Sequence, residues 1–166
     1  ADTNSNRIIK WAPNASSGTV VAGGNGQGSS LNQLNSPIRV ALDSSGNIYI
    51  SDTGNQRIIK WITDATSGTV VAGGNGSGSN NNQFDSPRGI HVDSSGNIYI
   101  SDYENHRIMK WIPDATSGTV VAGGNGRGSE LNKTSNPTDV HVDSSGNIYV
   151  AEVGTIYSSA RVVKWL

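Results

Sequence analysis

The feature that most constrains this chain is a repeat of 50 residues. The decapeptide Asp43-Ser-Ser-Gly-Asn-Ile-Tyr-Ile-Ser-Asp52 returns as Asp93–Asp102 and, ending in Val-Ala-Glu, as Asp143–Glu152. Residues 1–16 and 151–166 are partial copies of the same unit. A period this long, with several short strands in each copy, marks an array of like units packed against one another, so the repeat has to be read before any single motif.

Each copy of the decapeptide reads as a β-hairpin. Val40–Asp43 forms one strand and Ile48–Ser51 the next, with Gly46 in the connecting loop where a short hairpin needs positive φ. β-Branched and aromatic residues fill the second strand, as a pleated surface favours. Arg7–Trp11 recurs as Arg57–Trp61, Arg107–Trp111 and Arg161–Trp165, and gives a third strand. Thr19–Ala22, Thr69–Ala72 and Thr119–Ala122 give a fourth. Pro37, Pro87 and Pro137 open the first strand of the copies that follow, where a missing N–H is tolerated. Gly23 to Ser36 has no hydrophobic period and is expected to be a mobile crossover.

With the strands named a to d from the proline outward, the chain runs c-d, a-b-c-d, a-b-c-d, a-b-c. Four antiparallel strands per repeat, joined by a polar crossover from outer to next inner strand, is how a propeller blade is built. The predicted fold is all-β, a single array over 1–166: partial blade 1–24, blades 37–74 and 86–124, partial blade 136–166.

The pattern Pro-x-x-(Val/Ile)-x-(Val/Leu)-Asp-Ser-Ser-Gly-Asn-Ile-Tyr-(Ile/Val)-Ser-Asp-x-x-Asn-x-Arg-Ile resembles the NHL repeat, and the resemblance covers nearly the whole chain. It implies a β-propeller, usually of six blades, with about three blades carried here and a six-bladed ring or open assembly completed by another chain. The last copy departs from the pattern. Ser-Asp becomes Ala151-Glu152, and the Arg107-to-Arg161 spacing is 54 residues where the others are 50, so the turn Val153–Ala160 is enlarged.

Strand counting carries the functional expectation. Three blades are fewer than the usual four to eight, and an open wedge would expose strand edges and apolar faces. Two chains closing one ring would cover them. The residues expected to pair between chains are Arg7, Ile8, Ile9, Trp11, Val20 and Val21 at one end, and Arg161, Val162, Val163 and Trp165 at the other. A head-to-tail exchange of this kind closes into a ring or runs on as a filament. The expected role is therefore a non-enzymatic, self-assembling scaffold or fibre subunit. The alternative is a propeller module that binds a glycan, peptide or protein.

Other readings are weaker. Net charge is −1, and eight of the 12 basic residues lie on strand c (Arg7, Lys10, Arg57, Lys60, Arg107, Lys110, Arg161, Lys164), where Asp52 and Asp102 sit across the hairpin from Arg57 and Arg107. Nucleic acid is not expected as a partner. Trp11, Trp61, Trp111 and Trp165 could stack on sugars, but half-buried rings at the outer edge of a blade are the plainer reading. Gly24-Asn-Gly26-Gln-Gly28 imitates a dinucleotide fingerprint in the wrong context, since no helix follows. His91 and His141 occupy equivalent places on strand a, where the first copy has Ala41, and could meet near the channel. The NHL-like domain of peptide-amidating lyases holds zinc with channel histidines. One chain here offers two, and His106 lies on another part of the blade, so no metal, cofactor or catalytic residue is expected. Two chains would bring four such histidines together.

Cysteine is absent, which removes disulfides and thiolate metal sites. No run of about 18 apolar residues exists to span a bilayer. The chain starts at Ala1-Asp2, either a processed end or a trimmed one. Asn14, Asn75 and Asn132 head sequons in predicted loops. Together these favour an extracellular location with possible N-glycosylation.

Overall fold

In the computed structural model, described for residues 1–154 and 160–166, the chain folds into thirteen strands in four sheets. Blade I holds β1 (Arg7–Lys10) and β2 (Thr19–Gly23). Blade II holds β3 (Pro37–Leu42), β4 (Ile48–Asp52), β5 (Arg57–Trp61) and β6 (Thr69–Gly73). Blade III repeats it with β7 (Pro87–Val92), β8 (Ile98–Asp102), β9 (Arg107–Trp111) and β10 (Thr119–Gly123). Blade IV holds β11 (Pro137–Val142), β12 (Ile148–Glu152) and β13 (Arg161–Trp165). Every sheet is antiparallel in chain order, so the sequence-predicted all-β blades and the c-d, a-b-c-d, a-b-c-d, a-b-c strand order are what the chain forms.

The repeated decapeptide sets the first hairpin. Asp43 Oδ1 accepts the backbone N–H groups of Ser45 and Asn47 at 3.0 and 2.9 Å, and Oδ2 accepts the Asn47 amide at 2.8 Å. Gly46 then turns at φ +80°, a conformation that side-chain-bearing residues resist. Asp93 and Asp143 make the same three bonds.

Side chains alternate across each strand, so each blade feeds two joints. Ile59 faces back into a cluster with Ile8, Ala22, Leu34, Ile50 and Trp61, between blades I and II. Its neighbour Ile58 faces forward into a cluster with Phe84, Met109 and Trp111, between blades II and III. A third cluster joins Ile108, Ala122, Val140 and Val150 between blades III and IV. Among the described residues the core is divided into these three joints. Stability is a chain of nearest-neighbour contacts, as in other repeat arrays.

Two expectations fail. The crossovers are folded segments where mobile linkers were expected. Leu34, Phe84 and Thr134 sit fully buried in the joints, each next to a short parallel bridge to Gln27, Ser77 or Arg127. The Asn25 amide donates to Asn32 O at 2.9 Å, and the Gln33 amide to Asn25 O at 3.0 Å. The tryptophans of the whole blades are not half buried at an outer edge either. Trp61 and Trp111 are 2% and 1% exposed, with their indole N–H groups donating to Ala65 O and Ala115 O. Each ring fills the joint with the preceding blade, with Trp111 packed on Phe84 at 5.1 Å between centroids. That burial rules out these two as sugar platforms.

Candidate functional site

Three regions carry chemistry: the buried charge of each blade, the inner mouth, and the flanks. In blades II and III the charges are structural. Asp52 and Arg57 pair at 2.7 Å, as do Asp102 and Arg107, all four buried. Arg57 also donates to the carbonyls of Ser29, Ser30 and Gln33 at 2.7, 3.2 and 3.1 Å, and Arg107 does the same with Ser79, Asn80 and Gln83. One guanidinium thus satisfies a carboxylate and ties down the crossover entering its own blade. The predicted cross-strand pair is present, but its larger task, holding the crossover, left no mark in the hydrophobic pattern. In blade IV, Glu152 replaces the aspartate and pairs with Arg161 at 2.7 Å, and Arg161 reaches Ser129 O and Lys133 O. With Arg7 on Asp2 and Lys60 on Asp43, five of the eight strand-c basic residues are ion-paired.

The inner mouth is lined by the first strands. Arg39 from β3 reaches past β7 to Asp139 on β11, with N and O 3.1 Å apart. Gly89 lies beneath; a Cβ there would come within 2.5 Å of the Asp139 backbone, so the close approach of the two strands needs glycine. His91 and His141 meet edge to face, 4.7 Å between ring centroids, as the sequence equivalence suggested. Burial, and next the His141 imidazole, hold the His91 pKa below its ordinary value. Among the described residues no group of three His, Cys, Asp or Glu is placed to hold a metal ion, and the pair is one ligand short of a catalytic zinc. These side chains, with Tyr149, border a cleft of about 380 Å³. A larger one, about 680 Å³, lies between blades II and III beside Asp43, Tyr49, Lys60 and Asp93.

His106 stands apart from that pair, in the turn between β8 and β9. Its Nδ1 accepts the backbone N–H of Asn136 at 3.1 Å. Sequence reasoning missed this role. The available signal was that the equivalent positions, Asn6 and Gln56, are also side-chain acceptors, and they bond Ser36 N and Ser86 N in the same way.

The flanks hold the residues expected to pair between chains. Arg7, Ile8 and Ile9 lie on β1, which pairs with β2, where Val20 and Val21 sit. Ile8 is buried in the joint with blade II, whereas Trp11 lies past the end of β1 and is 61% exposed. Arg161, Val162, Val163 and Trp165 lie on β13, which pairs with β12 on one edge and, among the described residues, with nothing on the other. Val162 is exposed, and the Trp165 indole N–H has no acceptor where Trp61 and Trp111 have theirs. Residues 155–159, the bulk of the enlarged turn Val153–Ala160, fall outside the described residues. Asn14, Asn75 and Asn132 all lie in exposed loops, and the Asn75 amide is already bonded to Asn82 O.

Two stretches, residues 34–61 and 84–111, match the NHL repeat family. The chain carries two NHL repeats in a β-propeller fold. Both matches run from the crossover through strand c of a whole blade, and the altered last copy is not among them. Solved structures agree on the fold. A Bacteroides thetaiotaomicron protein of unknown function is similar with a TM-score of 0.73 at 20% identity, over 96% of this chain and 42% of that one. A streptogramin B lyase gives 0.58 at 16% identity, over 98% of this chain and 49% of that one. An auxiliary nutrient binding protein from B. thetaiotaomicron gives 0.63 at 17% identity, over 89% and 40%. The NHL-repeat chain therefore spans between two fifths and half the length of these relatives. No curated protein matches it. No helix among the described residues is long and apolar enough to cross a membrane.

Proposed function

We propose that this chain is a non-enzymatic, extracellular propeller scaffold whose two flanks are completed by the blades of a second copy. The observation that carries the reading is Trp11, 61% exposed at a position where Trp61 and Trp111 are all but sealed. The face of blade I around Trp11 is a blade joint with no blade in it. The open edge of β13 is the matching need at the other end, since the c strands of blades I to III all pair with a Thr-Val-Val-Ala strand. The share of the relatives' length supports two such halves per ring. Electron microscopy of the purified chain tests it. Closed rings or head-to-tail filaments are the expected particles, and isolated wedges from a sample with full β signal would overturn the reading.

A second reading, a propeller module that takes a glycan, peptide or protein ligand, is favoured by the two clefts beside polar and aromatic side chains. The propeller similar to this chain that bears the words nutrient binding supports it in kind. The two readings are compatible, because closing the ring would bring two inner mouths together.

A further inference from the structure

All three histidines of this chain serve one joint. His106 pins the crossover into blade IV through Asn136, and His91 on blade III packs against His141 on blade IV. The other two joints do the same work with groups that do not titrate near neutrality. Asn6 Oδ1 and Gln56 Oε1 accept Ser36 N and Ser86 N at 2.8 Å each. They also carry a second tie, from Thr3 Oγ1 to Pro37 O and from Thr53 Oγ1 to Pro87 O at 2.7 and 2.6 Å. At the third joint Tyr103 replaces that threonine, and what remains is a long bond of 3.4 Å from the Asn136 amide to Tyr103 O. The Asn136 N–H therefore depends on a lone pair that a proton can take away.

We propose that the joint between blades III and IV is an acid-operated hinge, in which protonation of His106, and of His91 where it packs on His141, loosens blade IV while blades I to III stay packed. A protonated His106 cannot accept from Asn136 N, and an imidazolium there faces Arg127 from the crossover. Glu104, on its own turn, opposes that repulsion only in part. At the inner mouth, a proton on His91 charges a half-buried ring packed edge to face on the His141 imidazole. The charged groups around the pair are Asp93, which favours a charged His91, and the Arg39–Asp139 bridge, already self-paired, with the rings of Tyr99 and Tyr149 alongside.

The direction is fixed by burial and neighbouring cations, which hold His91 and His106 below their ordinary pKa in the folded chain. The unfolded or opened joint binds protons more readily, so stability is full above about pH 6.5 and is lost as pH falls below it. Burial also holds the Asp102 carboxyl above its ordinary value, so the fall is assigned to the hinge by whether it tracks the imidazole.

Hydrogen exchange with residue resolution tests the hinge. The protection of Val140 and Val150 N–H relative to Ile50 and Ile100 N–H, taken at one pH, cancels the intrinsic pH dependence of exchange. This ratio should fall at least about tenfold between about pH 7.5 and about pH 5, in step with protonation of His106 followed by NMR. His106→Gln copies blade II, and His106→Asn copies blade I; either should remove most of the fall, and His91→Ala, which copies Ala41, part of it. A ratio that stays constant in the wild type overturns the hinge. So does a fall that does not track the imidazole, or one that persists in full in the variants.

Discussion

Trp111 and Trp11 end the same strand of the same repeat, yet one is 1% exposed and the other 61%. Trp111 has the preceding blade against it, supplying Ile58, the crossover between them, supplying Phe84, and a loop carbonyl at Ala115 for its N–H. Trp11 has no such blade against it among the described residues and lies largely in solvent. The buried charges follow the same divide. Asp102 and Arg107 are sealed and reach three crossover carbonyls, while Asp2 and Arg7 pair at 2.8 Å in a half-exposed setting. A propeller blade is thus half a joint on each face. Identical residues become core or surface according to whether the next blade is present, so a flank blade displays the chemistry of an interior one.

The sharpest way to break this comparison is to truncate the two tryptophans. Trp111→Ala should cost about 3–5 kcal/mol of unfolding free energy, and Trp11→Ala under about 0.5 in dilute protein, read by urea titration. Equal costs would mean that the flank ring is packed in solution after all, or that the joint ring is not. A smaller contrast is expected for the charges. Asp102→Ala leaves the Arg107 guanidinium buried and unpaired and frees the crossover, so its cost should approach 3 kcal/mol and the crossover around Ser79 should become open to proteolysis. Asp2→Ala should leave the midpoint where it is, because water already solvates both partners.

How far the sequence spoke follows from the same physics. Strand order, hairpins and the Asp–Arg register were legible because period-two burial and turn residues are local and are written out several times over. The meeting of His91 and His141 was legible because equivalent positions in adjacent blades must be neighbours. The crossover was not. Its order comes from Arg57 and Arg107 donating to carbonyls of residues whose identity scarcely matters, so Gly, Asn and Ser there looked like a linker. The full burial of Trp61 was also hidden, since a ring at the end of a strand gains its cover from a different repeat. His106 was read only as lying on another part of the blade from the histidine pair. Only its equivalence with Asn6 and Gln56 gives away that an acceptor, and not a metal ligand, is what the position requires.

The central claim is that the exposed face around Trp11 is an empty blade joint that another copy fills. Light scattering over a dilution series, comparing the wild type with Trp11→Asp, tests it most directly. The account predicts a wild-type mass of at least twice the 17.3 kDa chain that falls on dilution, and a variant that stays monomeric with its β signal intact. A wild type that is monomeric at every concentration, with the same β signal as the variant, would contradict it.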